Sequence, residues 1–240
     1  MTAKTGQTTY EELHVSYPDE SVTETICQFA YDDVIKRIPK DKVVVDIGCG
    51  IGTLASRIAR FSKEVIGVDI APERIDRAKA LHPANNLKFY VSDAYNLPVD
   101  NKSVDVIVSF AVFHHLDLEK MSLELMRVLR KGGIVFIVDI YEGFQKPSAR
   151  VKSWLRMLKR DGPILTFSTF VRMLPLFLRE KNRQHRKNDR ERMVSTNRYT
   201  FKGFSEEYSR ILPGCICGED IFPFAYCYYM LHEEDEGHEE

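Results

Sequence analysis

The run Val43-Val-Val-Asp46-Ile-Gly48-Cys-Gly50-Ile-Gly52-Thr53-Leu-Ala55 constrains this chain more than any other stretch. A buried-strand pattern ends at an acid, three alternate glycines follow, and a helix begins. Glycine lets the backbone turn tightly and approach a ligand with no Cβ in the way. A Gly-rich strand-to-helix turn is the nucleotide-binding corner of an open α/β sheet. Downstream, strands and helices alternate: strand 43–47, helix 53–60, strand 64–69, helix 72–81, strand 87–91, strand 104–109, helix 118–130 and strand 133–139. Pro72 suits a first helical turn, Asp117 a helix cap, and Gly132-Gly133 a helix stop. This alternation predicts parallel strands joined by right-handed crossovers.

The acid before the loop narrows the ligand. A dinucleotide fingerprint, G-x-G-x-x-G, seats a pyrophosphate on the helix N-terminus. Here the third glycine comes one position early, and the Asp46 carboxylate would repel pyrophosphate. It suits a ligand carrying an ammonium and a sulfonium, namely S-adenosyl-L-methionine. Lys63 to Ile70 reads as a second strand ending in Asp69, about 20 residues past the loop, where an acid binds ribose hydroxyls. Leu87 to Ala94 reads as a third, ending in Asp93, which can accept from an adenine amino group. Ile70 is placed against the adenine face, and Ala94 is expected to offer a backbone amide.

With Ser109-Phe-Ala-Val-Phe-His114-His115-Leu116 and Leu125-Met-Arg-Val-Leu-Arg-Lys-Gly132-Gly133 added, the ordered set resembles the class I S-adenosylmethionine-dependent methyltransferases. Within them it is most similar to the small-molecule group that includes quinone-biosynthesis methyltransferases. The likeness runs from about Val43 to Asp139. It implies a Rossmann-like, seven-stranded, mostly parallel sheet with an antiparallel last strand and helices on both faces. It implies a cofactor site of Asp46, Gly48, Cys49, Gly50, Gly52, Asp69, Ile70, Asp93, Ala94 and Phe110. Cys49 reads as a small lining residue. His114 and His115 follow the fourth strand at the ligand-binding edge, and a histidine there is a candidate general base near neutral pH. The family-wide frequency of His-His-Leu leaves a capping or cofactor-holding role open.

Two absences argue against base methylation in nucleic acid. No Asn-Pro-Pro-Tyr-like tetrapeptide follows the fourth strand, and no Pro-Cys dipeptide occurs. The cysteines are Cys27, Cys49, Cys215, Cys217 and Cys227. None forms C-x-x-C; Cys215-x-Cys217 would share one strand face with Cys227 nearby, but no histidine completes a usual zinc spacing, so free thiols rather than a metal set are expected.

The 240 residues read as one methyltransferase domain with additions. Residues 1–40 are an arm and a helix over 21–37, which Ser21 and Glu24 can cap. Residues 144–192, after the fifth strand, carry fourteen basic and four acidic side chains, a net +10 within a chain of net charge −1. Val151, Trp154, Leu155 and Leu158, then Phe167, Phe170, Val171 and Leu174, fall on helical faces. The segment is expected to be a basic helical lid above the active edge, with an anion site or a peripheral membrane contact left open. A helix near 204–211 precedes a closing hairpin of 215–221 and 225–231. The tail 232–240, with six acids, is expected to be disordered. No signal peptide is expected at the N-terminus, which points to the cytoplasm. The reading is methyl transfer to a small organic acceptor, with O-, N- and C-methylation unresolved and oligomeric state unset. Its rivals are a nucleic-acid methyltransferase using the +10 segment and a non-catalytic cofactor-binding partner protein.

Overall fold

The computed structural model describes residues 30–139, 155, 158, 159, 162, 163, 200–219, 221 and 224–231. The expected arm, most of the lid segment and the acidic tail lie outside the described residues. The strands are β1 (Val43–Ile47), β2 (Glu64–Asp69), β3 (Leu87–Val91), β4 (Val104–Phe110), β5 (Leu129–Asp139), β6 (Ile216–Gly218) and β7 (Ala225–Met230). The helices are α1 (Thr53–Ala59), α2 (Pro72–Leu81), α3 (Leu118–Val128) and α4 (Phe201–Ile211), preceded by helical residues 30–35. One seven-stranded sheet runs in the order β3-β2-β1-β4-β5-β7-β6. Strands β1 to β5 are mutually parallel, and β7 alone runs against its neighbours β5 and β6.

Alternation along each strand sorts the core into two layers, because successive side chains leave opposite faces. Val44, Val65, Val106, Val108, Phe136 and Val138 meet Ala30, Val34, α1 and α2 on one face. Val45, Ile47, Ile66, Val68, Val135, Ile137 and Cys227 meet α3 and α4 on the other. Near-continuous apolar runs are what a sheet covered on both faces requires. All parallel strands therefore end at one edge, where the β1–α1 loop, the β2 and β3 tips and the turn after β4 converge.

The structure corrects one sequence reading in this region. Gly132-Gly133 does not stop a helix. α3 ends at Val128, Leu129 is already extended (φ −75°, ψ 134°), and β5 runs through both glycines. Leu129 pairs with Val104 and Ile134 with Val106, so β5 carries an irregularity that the glycines accommodate. A Cβ on Gly133 would lie 2.7 Å from the Arg130 carbonyl oxygen. The closing hairpin is present, but its first strand is only three residues long.

Candidate active site

The loop after β1 is held by β2. Gly48 N and Cys49 N donate to the Val68 carbonyl at 2.8 and 2.9 Å, and Gly50 N donates to Asp69 Oδ2 at 2.9 Å. All three loop glycines have positive φ, at 72°, 54° and 80°. Their reasons differ. A Cβ on Gly48 would sit 2.2 Å from Val112 Cγ2, and one on Gly52 2.5 Å from the Phe89 ring. A Cβ on Gly50 would meet nothing within 4 Å. Packing therefore requires the outer two glycines, and the central one faces open space.

Asp46 is buried, and its Oδ2 has no hydrogen-bond partner among the described residues. Burial pushes its carboxyl up to about 7, and the neighbouring Asp69 carboxylate adds to the rise; the Ala55 N–H pulls the other way. A buried acceptor without a partner is costly, and a nearby cation would satisfy it. Asp69 is nearly buried at the β2 tip and also receives Ala71 N on Oδ1 at 2.9 Å. Its carboxylate thus shapes the loop as well as standing where ribose hydroxyls are expected. Ile70, next to it, is 54 % exposed, an apolar side chain presented at the edge. Asp93 is exposed, with Oδ1 accepting Tyr95 N at 3.1 Å, and Ala94 is half-buried against the core. Cys49 is buried, and burial beside Asp46 and Asp69 drives its thiol far upward, so it is no nucleophile.

Phe110 ends β4, and its ring stands edge-on between Tyr31 (centroids 4.8 Å) and Phe224 (4.6 Å). The chain then turns through Ala111 (φ 57°) into a short 3-10 turn, Phe113–His115. Val112 lies against Gly48, so the turn adjoins the glycine loop. His114 is clamped twice by Asp139 at the end of β5. Its backbone N donates to Oδ2 at 2.8 Å, and its Nδ1 lies 2.6 Å from Oδ1. Asp139 is buried, and the His114 side chain is 9 % exposed. The His115 ring is tilted against His114, with centroids 3.9 Å and planes 46° apart. His115 is exposed at the surface, but partial desolvation of its ring and the adjacent His114 lower it to about 4, which favours the neutral form.

Of the residues expected at the site, the glycine loop, Asp46, Asp69, Ile70 and the two histidines converge on the sheet's carboxyl edge. Phe110 joins an aromatic trio there. Asp139 and Val112 are the residues that sequence reasoning missed. Asp139 had a legible signal, because an apolar run, Ile134–Val138, ends in an acid as the runs before Asp46 and Asp69 do.

Residues 45–137 match a family described as "Methyltransferase domain". The chain is 31 % identical over 141 residues to 2-methyl-6-phytyl-1,4-hydroquinone methyltransferase of Synechocystis sp., covering 54 % of this chain and 44 % of that protein. It is 23 % identical over 229 residues to ajmaline N-methyltransferase of Rauvolfia serpentina, covering 88 % and 78 %. The match thus spans less than half the length of the hydroquinone enzyme. Among solved structures, a SAM-dependent methyltransferase from Aquifex aeolicus superposes with a TM-score of 0.57 at 15 % identity, over 90 % of this chain and all of that one. That likeness shows the fold.

Proposed function

We propose that this chain, whose residues 45–137 match a family described as "Methyltransferase domain", moves a methyl group from S-adenosylmethionine to a hydroxyl on a small organic acceptor. The bound cofactor supplies a methyl already activated on a sulfonium. The residues present fit it: the unpartnered Asp46 oxygen suits a cation, Gly50 faces open space, Asp69 suits ribose hydroxyls, and Ile70 offers an apolar face for adenine. The protein's remaining work is to exclude water, align the acceptor, and remove its proton.

The single observation that carries the oxygen-acceptor reading is the His114–Asp139 pair beside the glycine loop. A carboxylate on Nδ1 fixes the tautomer and leaves Nε2 as the basic nitrogen. A phenol or hydroquinone hydroxyl must lose a proton during transfer, whereas a neutral amine needs only desolvation. His115, tilted against His114 and weakly basic, is not the proton acceptor in this reading. The aromatic trio of Tyr31, Phe110 and Phe224 at the same edge suits a planar acceptor. Residues 144–192 are the lid in this reading, and Leu155 and Leu158, both helical and exposed, are apolar side chains it has to offer.

Transfer from methyl-labelled S-adenosylmethionine to panels of phenols, hydroquinones and amines tests the proposal. The hydroxyl panel is expected to be turned over. His114→Asn and Asp139→Asn are each expected to lower kcat by about 10²–10⁴, with S-adenosylhomocysteine affinity within a few-fold of wild type. Turnover of amines alone, unaffected by His114→Asn, would overturn it.

A further inference from the structure

We propose that Cys215, Cys217 and Cys227 form a three-thiolate site for one soft closed-shell cation, Cu(I) in three-coordination or Zn(II) completed by a solvent ligand. Its donors come from both strands of the closing hairpin, and pairing across it brings them together. Cys217 on β6 is the register partner of Cys227 on β7. Cys215 lies two residues before Cys217, on the same side of an extended chain. The three Sγ atoms all lie within 4.8 Å of one another, and Cys215 and Cys217 are 3.7 Å apart.

That separation is what a shared metal requires. With Zn–S bonds of ~2.3 Å, tetrahedral angles put sulfurs about 3.8 Å apart, and a trigonal set lies close by. Hydroxyls of α4 lie beside two of the thiols. Ser209 Oγ is 3.7 Å from Cys215 Sγ, and Ser205 hydrogen-bonds Cys217. These hydroxyls sit one helical turn apart on one face. Cys227 is fully buried, and Cys215 and Cys217 are partly buried, so an ion has both a floor and an entry. All-sulfur donor sets select soft ions over Mg²⁺, Ca²⁺ or Mn²⁺. A disulfide between any two of the thiols would leave the third without a role. The site stands on the α3–α4 face of the sheet, apart from the glycine loop, and is independent of the methyl-transfer proposal. An ion there would pin β6, a three-residue edge strand, to β7.

The full chain, purified reduced and stripped with chelator, is titrated anaerobically with Cu(I) and, separately, with Zn(II), under chelator competition. One equivalent of at least one ion is expected to bind and to raise Tm. Cys215→Ser and Cys217→Ser are chosen because both positions are only partly buried. Each is expected to weaken binding by on the order of a hundredfold, with S-adenosylhomocysteine binding retained as the folding control. Competition identifies which of the two ions is preferred. Absence of stoichiometric binding of both, equal binding by the serine variants, or rapid closure of a disulfide that excludes metal would each overturn the site.

Discussion

Asp46 is asked to be both buried and charged, and its environment sets what that costs. Its carboxyl rises from 3.8 to about 7 in the folded chain. Between about pH 4 and pH 7 the unfolded chain gives up this proton while the folded chain keeps it. Its contribution to stability therefore falls as pH rises through that window, and the full penalty stands above it. In thermal melts of the ligand-free protein, Asp46→Asn is expected to gain on wild type as pH rises from about 5 to about 8, by on the order of a few kcal/mol. Parallel curves for the two proteins would contradict this. The loop glycines give a second residue-scale prediction. Gly50→Ala meets no atom and costs folding only the left-handed backbone term, about 1–2 kcal/mol. It is expected to lower S-adenosylhomocysteine affinity at least tenfold, because the new methyl enters ligand-facing space. Gly48→Ala drives a methyl into Val112 and is expected to lose more stability than Gly50→Ala in the same melts. Wild-type affinity in Gly50→Ala would remove the loop from the ligand site.

At the scale of elements, α3 is fastened to the connection after β3 by a buried carboxylate. Glu124 receives Leu97 N at 2.6 Å and pairs with Arg127, whose guanidinium also donates to the Leu97 and Val99 carbonyls, each at 3.1 Å. Glu124→Ala leaves the Leu97 N–H and Arg127 without this partner. The expected cost is about 2 kcal/mol in denaturant melts, below the ~3–5 kcal/mol of a fully buried pair because Arg127 is one-third exposed. A change under about 0.5 kcal/mol would show the network to be incidental. Element positions were largely legible, because apolar runs closed by Asp46 and Asp69 mark strand ends without tertiary information. The α4 start was not. Thr200 caps it through Gly203 N at 3.1 Å, so the helix begins at Phe201, three residues before the start expected near 204. The β5 start was hidden for a related reason. Leu125 and Val128 carry a helical pattern into Leu129, and only pairing with Val104 makes Leu129 a strand residue.

For the whole molecule, the sheet order brings together at one edge residues from Asp46 to Asp139. The acids that close β1 and β2 at this edge, Asp46 and Asp69, were readable from sequence as strand ends. The His114–Asp139 clamp was not readable as a pair, since its two residues are 25 apart in the chain and meet only in space; the cysteine cluster was half-readable, since its hairpin was expected and a metal set was not. Deleting residues 144–192 is expected to abolish methyl transfer while leaving S-adenosylhomocysteine affinity within a few-fold, because the glycine loop and Asp69 lie outside the segment. Loss of the folded sheet in the deletion would make the segment a structural layer instead of a lid. The central claim is that this edge holds S-adenosylmethionine rather than a dinucleotide, and calorimetric titration of the full chain with S-adenosylhomocysteine and with NAD tests it most directly. The account predicts stoichiometric binding of S-adenosylhomocysteine, weakened at least tenfold by Asp69→Asn through loss of charge-assisted bonds worth ~1.5–3 kcal/mol each, and no heat from NAD. Saturable binding of NAD with none of S-adenosylhomocysteine would contradict it.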